Sequence, residues 1–294
     1  MGANLGTPAY QGFLRNDAAT IAELMRLGGY RTLMSGKWHV GGDFWARLVD
    51  TWRVGDVDRP TPRQRGFDRF YGIIDGVTHF FSPHFVMEDD RRAEVSPTGY
   101  YFTDVITDKA IGMIEESVGL AKPFFLYLAH AAPHWPLHAH EQDIARYDGV
   151  YNNGWDKIRE ARHEEMLSRG VLQHRWNISP RDEQAPAWND AAAQDWEASR
   201  MAVYAAMIDR MDQNIGRILQ HLEATNQLAS TLILFTSDNG ACAEWDPFGF
   251  DVSSGPTNTL HTGEALNNMG QPGTYHSYGS AWANTGDRKS TRLN

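Results

Sequence analysis

Two apolar runs of strand length, each preceded by an amphipathic helical pattern, restrict this chain to a small set of folds. The runs cover residues 123–129 and 231–235. The helical patterns cover residues 103–116 and about 197–224, and in the second the apolar side chains recur every three or four positions. Helices that alternate with continuous apolar strands are typical of an α/β protein, in which helices flank a mostly parallel sheet.

Weaker signals predict the structure before residue 103. Asn16 or Asp17 is expected to cap a helix that ends at Gly28, and a short strand is expected over residues 30–34. Residues 41–99 are rich in Gly, Pro, Asp and Arg, and this composition favours irregular structure.

Composition excludes several classes of partner. Asp and Glu number 37 against 27 Lys and Arg, and the formal net charge is −10. A nucleic-acid or anionic-membrane partner is therefore not expected, although a local basic site for one small anion stays possible. No apolar run approaches the roughly 18 residues that a membrane helix requires. The single cysteine, Cys242, excludes an intramolecular disulfide.

Lys37 and His39 form the first of three polar clusters that follow apolar segments, where open α/β sheets place their ligand sites. The two residues are two positions apart, so in an extended segment their side chains share a side. A fixed cation beside a titratable imidazole suits an anionic substrate that needs a proton moved. A surface lysine beside a partly buried histidine is the alternative.

A histidine-rich segment, residues 130–140, follows the first apolar run. Its histidines can bind a metal ion in principle. Pro133 and Pro136 break any helix there, however, and so remove the geometry of a helical zinc site. A single positioned histidine, His134, is the functional interpretation that we favour, and a solvated loop is the alternative.

Asp238 and Asn239 follow the second apolar run and form the third cluster. Adjacent carboxylate and amide oxygens suit a hard cation such as Ca²⁺ or Mg²⁺. An Asn-Gly turn is the alternative for these residues. A cation site and several side chains that can bind anions or transfer protons, all located at strand ends, together indicate hydrolysis of an anionic ester.

These segments also resemble the sulfatases of the alkaline-phosphatase-like superfamily. The matching residues keep the order of that family, and they occupy positions 29–32, 36–41, 65–68, 70–72, 123–127, 132–137, 204–212, 236–240 and 282–284. The resemblance implies an α/β, alkaline-phosphatase-like (sulfatase) fold that is incomplete here. It further implies that residues 1–287 are the central part of a sulfatase catalytic domain and that residues 288–294 are a non-native tail.

The resemblance also implies roles for the candidate site residues. Lys37 and His39 would hold the sulfate and the hydrated aldehyde of a formylglycine nucleophile, and His39 would take up a proton when sulfate is expelled. His134 would contact the sulfate and help the leaving oxygen depart. Asp238 and Asn239 would bind Ca²⁺ under the sulfate group.

The chain departs from the family pattern in its nucleophile and in part of its cation site. It has neither the Cys/Ser-x-Pro-x-Arg motif that yields formylglycine nor the N-terminal acidic pair that completes the Ca²⁺ site. We therefore expect a piece of a longer sulfatase, truncated at both ends and inactive by itself.

The parent protein is expected to hydrolyse a sulfate ester, as an arylsulfatase does, on a sulfated small molecule or a sulfated glycan. Its compartment stays open, because the start of this chain lacks a signal-peptide pattern while a periplasmic or secreted parent remains possible. Two alternatives remain. One is a phosphoester or phosphonate hydrolase of the same superfamily, and the other is a non-catalytic protein that binds sulfated ligands.

Overall fold

The computed structural model describes residues 14, 16–41, 54–55, 60–183, 185–237 and 260–286. The chain divides into two compact units. The first comprises Met1–Ala132 and Met211–Thr231, and the second comprises Pro133–Arg210 and Leu232–Asn294.

An open, mixed sheet forms the centre of the first unit. Its strands are β1 (Arg31–Lys37), β2 (Arg69–Ile73), β3 (Met87–Glu88), β4 (Arg91–Arg92) and β5 (Phe124–Ala129), in the order β4-β3-β2-β1-β5. β1 pairs in parallel with both β2 and β5. The other two pairings, β2 with β3 and β3 with β4, are antiparallel. The predicted α/β fold class is confirmed, and the sheet is mixed.

The helices confirm the two amphipathic patterns. They are α1 (Ile21–Leu27), α2 (Phe102–Gly119), α3 (Glu141–Ile144), α4 (Gly154–Ser168), α5 (Gln194–Ala224) and α6 (Ser280–Gly286). α2 and α5 correspond to the patterns at 103–116 and 197–224. α5 contributes residues to both units.

α2 packs against the sheet and against the last part of α5. Ala110 and Ile114 of α2 form a buried cluster with Ile218 and Leu222 of α5. The Ser35 hydroxyl of β1 donates a 2.6 Å hydrogen bond to the Ile106 carbonyl, which ties this strand to the helix. The apolar face of α2 therefore holds β1 from one side.

α1 begins later than we expected, because Thr20 caps it instead of Asn16 or Asp17. Oγ1 of Thr20 accepts from the backbone N–H of Glu23 at 3.1 Å, and the Glu23 carboxylate accepts from the Thr20 N–H at 2.7 Å. This reciprocal pair is a capping box, which satisfies two helix-end donors at once. Gly28 ends the helix, as the sequence predicts.

β1 extends to Lys37 instead of ending at residue 34, and Gly36 makes this extension possible. Its φ is +120°, and a Cβ at this position would lie 1.9 Å from the carbonyl oxygen of Ala129. Only glycine lets the backbones of β1 and β5 come so close. Lys37 therefore continues the ladder, opposite Ile73.

The two apolar runs have different outcomes. Residues 123–129 form β5, as predicted, but β5 lies at the edge of the described sheet and Tyr127 is 50% exposed. Residues 231–235 are not a strand, and Leu232 and Leu234 are 84% and 82% exposed. Apolar content alone does not make a strand, since a strand also needs a hydrogen-bonding neighbour, and the described residues provide none here. The expectation of irregular structure over 41–99 is also wrong in part, because β2, β3 and β4 lie there.

Aromatic side chains fill the core of the second unit. Trp155 meets Trp188 edge-to-face with ring centroids 4.7 Å apart, and it meets Trp282 at 5.5 Å in the same geometry. A buried ion pair lies in the same unit, where the Arg200 guanidinium donates to both carboxylate oxygens of Glu197 at 2.8 and 3.0 Å. Within the described ranges, no helix is both long and apolar enough to cross a membrane.

Replacing Gly36 with alanine should lower the free energy of unfolding by about 2–6 kcal/mol. The left-handed backbone costs about 1–3 kcal/mol for a residue with a Cβ, and the methyl group would overlap the Ala129 carbonyl at a further cost of about 1–3 kcal/mol. Urea denaturation measures the change. Gly112→Ala, in α2 and with open space around its Cβ position, is the control and should stabilise by up to about 1 kcal/mol. If Gly36→Ala unfolded at the same midpoint urea concentration as the wild type, this result would contradict the close approach of β1 and β5.

Candidate active site

The parallel strands of the first unit end at one edge of the sheet, and ionisable side chains collect there. Lys37 is the last residue of β1, Asp75 follows shortly after β2, and His130 comes directly after β5. Open α/β sheets bind ligands at this edge, outside the carboxyl ends of their strands. This edge is therefore the candidate site.

A buried tryptophan fixes the backbone between Lys37 and His39. The Trp38 N–H donates to the Ile73 carbonyl at 2.9 Å, and its indole Nε1 donates to the Pro60 carbonyl at 2.8 Å. The indole also meets the ring of Phe67 edge-to-face, with centroids 6.2 Å apart. Lys37 and His39 therefore flank a residue that is anchored in the core.

His39 adopts a left-handed backbone conformation, with a φ of +58°. Its N–H donates to the Ile74 carbonyl at 3.1 Å. The side chains of Lys37 and His39 are expected to share a side only if the segment between them is extended. Because the backbone is left-handed at His39, the extended geometry ends there. Its imidazole lies against Gly76, where a Cβ would be only 2.3 Å from Nε2. Because Gly76 has no side chain, the imidazole ring of His39 can occupy this space.

Two further ionisable groups lie at this edge, and the sequence reasoning did not single them out. Burial raises the pKa of Asp75 to about 6. Burial lowers the pKa of His130 to about 4, and within the described part of the chain neither of its ring nitrogens has a hydrogen-bond partner. His130 is thus neutral at neutral pH. Both residues come just after a strand, and this position is the signal that could have identified them. At Asp75 the signal was hidden, because residues 41–99 are expected from sequence to be irregular and β2 lies among them.

His134 belongs to the second unit. Hydrogen bonds made by the residues that follow it hold the histidine-rich segment in place. The segment has no helix, as its prolines predict, and the Trp135-Pro136 peptide bond is cis. Trp135 Nε1 donates to the Tyr275 carbonyl at 2.7 Å, and the Leu137 N–H donates to the His276 carbonyl at 2.9 Å. These bonds fasten the residues that follow His134 to the chain segment near residue 275.

The ring of His134 has a defined orientation. Its Nδ1 lies 2.9 Å from the Trp135 carbonyl oxygen. Because a carbonyl can only accept, Nδ1 carries the proton in the neutral ring and Nε2 carries the lone pair. Nε2 is therefore the atom that can take up or release a proton.

Asp238 and Asn239 lie outside the described residues, and so does Cys242. In the ranges that the structure does cover, no group of three or more His, Cys, Asp or Glu side chains is placed to hold a metal ion. The structure thus locates Lys37 and His39 at one sheet edge of the first unit and His134 in the second unit. The cation site stays a prediction.

The order of these segments along the chain matches a known protein family. The family model described as Sulfatase matches residues 2–280. The chain belongs to the sulfatase family. The predicted resemblance is therefore confirmed, and the Lys37 edge of the sheet lies within the matched residues of this sulfatase.

Individual relatives agree with this assignment. The chain is 29% identical over 294 residues to an arylsulfatase of Klebsiella aerogenes, covering 96% of this chain and 59% of that protein. It is 28% identical over 299 residues to an uncharacterized sulfatase of Schizosaccharomyces pombe, covering 95% of this chain and 50% of that protein. The chain spans about half the length of the curated relatives it matches.

A solved structure supports the sulfatase fold. Ps i-CgsB, crystallised in complex with k-i-k-neocarrahexaose, superposes with a TM-score of 0.53 at 23% sequence identity. The superposition covers 78% of this chain and 41% of that protein. At this level of identity the likeness shows the fold alone.

Replacing Gly76 with alanine should displace the imidazole of His39. The added methyl group would lie 2.3 Å from Nε2, and the ring can rotate away, so the free energy of unfolding should change by less than about 1 kcal/mol. NMR spectra of the histidine rings measure the displacement. Gly119→Ala, with nothing near its Cβ position, is the control. Unchanged His39 ring signals in Gly76→Ala would contradict the packing described here.

Replacing His130 with glutamine should remove a pH-dependent part of the stability. The pKa of His130 is about 4 in the folded state and about 6.5 when unfolded. Between these values only the unfolded state binds the proton, so wild-type stability rises with pH across this window. The stability difference between wild type and His130→Gln should therefore grow by on the order of 3 kcal/mol from pH 4 to 6.5.

Urea denaturation at several pH values measures this difference. Burial also raises the pKa of Asp75 to about 6. This group therefore makes the stability of the protein fall with rising pH between its unfolded pKa and about 6. That contribution is present in both proteins and cancels in the comparison. His174→Gln, at an exposed position, is the matched control. A difference that does not vary with pH would show that His130 is accessible to protons in the folded state.

Proposed function

We propose that this protein acts on sulfate esters, as a sulfuric ester hydrolase of the arylsulfatase type. The observation that carries the proposal is the family match over residues 2–280, with Lys37 at the carboxyl end of β1 inside it. A fixed ammonium group suits the negative charge of a sulfate. The buried Trp38 beside it limits the movement of the backbone that carries Lys37.

The residues of this chain would bind the sulfate and move protons. Lys37 would bind sulfate oxygens, and His39 would accept a proton near them. His134, whose Nδ1 is occupied by the Trp135 carbonyl, would release a proton from Nε2 to the leaving oxygen when its ring is charged. General acid–base help of this kind contributes about 10²–10⁴-fold to a rate.

Asp238 and Asn239 would hold Ca²⁺. Their carboxylate and amide oxygens are the hard donors that this ion prefers. When bound, the ion supplies charge stabilisation to the sulfate oxygens. Two side chains are few beside the roughly six to eight oxygens that surround Ca²⁺ in proteins, so we expect weak binding by these residues alone.

Residues 1–294 by themselves are proposed to bind sulfate esters without turning them over at an enzymatic rate. The formylglycine that sulfatases use would arise from a Cys/Ser-x-Pro-x-Arg motif, and Cys242 is followed by Ala243-Glu244 instead. Acid–base help leaves most of the barrier in place without a covalent nucleophile and a complete cation site.

The proposed ligand class is a sulfated saccharide or an aryl sulfate. The name of the Klebsiella aerogenes relative, arylsulfatase, supports the second. The oligosaccharide complex of Ps i-CgsB supports a saccharide, since that protein shares the fold. Both classes present the same charged group to Lys37.

Replacing Lys37 with glutamine should weaken the binding of 4-nitrophenyl sulfate by about 10- to 100-fold. This range corresponds to the loss of one charge-assisted hydrogen bond, worth about 1.5–3 kcal/mol. NMR titration measures the affinity, and release of 4-nitrophenolate measures turnover. Lys157→Gln is the matched control, because Lys157 is a 70% exposed lysine of α4. The Lys157→Gln variant should bind 4-nitrophenyl sulfate with the affinity of the wild type.

Three outcomes would count against the proposal. Equal affinity in Lys37→Gln and wild type would remove Lys37 from the site. Tighter binding of 4-nitrophenyl phosphate than of the sulfate would favour a phosphoester hydrolase of the same superfamily. Rapid turnover that Lys37→Gln abolishes would show that a nucleophile lies within these residues.

A further inference from the structure

A concave site lies at the opposite edge of the sheet from Lys37, where the parallel strands begin. The cleft has a volume of about 370 Å³. Its lining residues come from the end of α1, the start of β1 and the residues just before β2 and β5, and they are Arg26, Gly29, Tyr30, Arg31, Asp68 and Lys122. β1 separates this cleft from Lys37 by its whole length.

Backbone hydrogen bonds hold the walls of the cleft in place. The Tyr30 N–H donates to the Met25 carbonyl at 3.1 Å, which closes the turn between α1 and β1. The Arg31 N–H donates to the Pro123 carbonyl at 2.8 Å, and the Asp68 N–H donates to the Thr32 carbonyl at 2.7 Å. The cleft is thus formed by the starts of three paired strands.

The lining carries three cations against one carboxylate. The carboxylate is already engaged, since Oδ2 of Asp68 accepts from the backbone N–H of Thr32 at 3.0 Å and from its hydroxyl at 3.1 Å. Arg26 and Lys122 are exposed, and neither forms an ion pair with any residue that the structure describes. Arg31 is paired with Glu116, so Arg26 and Lys122 make the cleft a positive patch on a chain with a formal charge of −10.

Arg31 has unused hydrogen-bonding capacity in this cleft. Its Nη2 pairs with the Glu116 carboxylate at 2.9 Å. Its Nε is buried and has no hydrogen-bond partner among the described residues. An unpaired buried donor is costly, and a small rotation of the guanidinium toward the cleft would let a ligand oxygen satisfy it.

Three carbonyl groups at the end of α1 are already engaged in backbone hydrogen bonds. The negative end of a helix dipole resides in its last free carbonyls. In α1 the carbonyls of Leu24, Met25 and Arg26 accept from Gly28, Tyr30 and Gly29, respectively. These three carbonyls are therefore not free to repel an anion in the cleft.

We infer that this cleft binds a small hydrophilic molecule through a tetrahedral oxyanion, as in a sulfated or phosphorylated monosaccharide. Arginine recognises sulfate and phosphate oxygens through its planar set of donors. The volume is at the small end of the roughly 300–1,000 Å³ of ligand pockets, which suits one sugar ring. The inference does not depend on the proposed function, because it concerns different residues.

The experiment is an NMR titration of residues 1–294 at constant ionic strength, with the backbone amides of Tyr30, Arg31 and Lys122 as site-specific reporters. The ligands are glucose 6-sulfate, glucose 6-phosphate, inorganic sulfate and glucose. We expect saturable shifts with at least one of the two sugar esters, and their relative affinities identify sulfate or phosphate as the natural group. Glucose should cause none, and inorganic sulfate should bind at least 10-fold more weakly than the tighter ester.

Variants connect those shifts to the cleft. Arg26→Gln/Lys122→Gln should bind the tighter ester at least 10-fold more weakly, whereas Arg26→Lys/Lys122→Arg should bind it as the wild type does. Both positions are exposed, so the fold should persist, and amide spectra check this. Lys37→Gln should leave the reporter shifts unchanged, which separates this site from the proposed catalytic edge.

Four results would overturn the inference. They are the absence of saturable shifts with both esters, equal affinity in Arg26→Gln/Lys122→Gln and wild type, equal affinity for inorganic sulfate and the tighter ester, and loss of the reporter shifts in Lys37→Gln. The first three would leave the proposed function intact, because the Lys37 site is tested separately with 4-nitrophenyl sulfate.

Discussion

The parallel pairing of β1 with β2 and β5 determines where the ionisable groups of the first unit lie. Because the three strands run in the same direction, all of their carboxyl ends meet at one edge and all of their amino ends at the other. Gly36 allows this pairing to continue to the last residue of β1. One sheet therefore carries a candidate catalytic edge at Lys37 and a basic cleft at Arg31.

Burial shapes the electrostatics of the Lys37 edge. His130 is held neutral there, and the pKa of the Asp75 carboxyl is raised. Both shifts have the same cause, since removing water disfavours whichever form is charged. This edge therefore carries Lys37 together with a neutral imidazole at His130.

The sequence predicted the features that depend on local chemistry and motif order. The helices α2 and α5, the strand β5 and the sulfatase family were all accessible from periodicity and from ordered motifs such as residues 36–41 and 132–137. A glycine after a helix predicted the end of α1, because the end of a helix depends on its own residues.

The features that were missed depend on partners distant in sequence. Residues 231–235 have the composition of a strand, but composition does not supply a hydrogen-bonded neighbour. β2 was missed because its pairing with β1, not its own pattern, makes it a strand. Asp75, whose pKa is raised, lies just after β2, so it was missed with β2. The left-handed backbone of His39 carries no sequence signal, since such a conformation is uncommon outside glycine.

The exposed run at 231–235 has a consequence for the behaviour of this chain in solution. Leu232, Leu234 and Phe235 present branched and aromatic side chains to water, with Ile233 half exposed between them. A short apolar segment of this kind, free of charge and proline, favours cross-β stacking between molecules. The net charge of −10 opposes such stacking at low salt. Salt screens that repulsion, so the colloidal stability of the chain should fall as ionic strength rises.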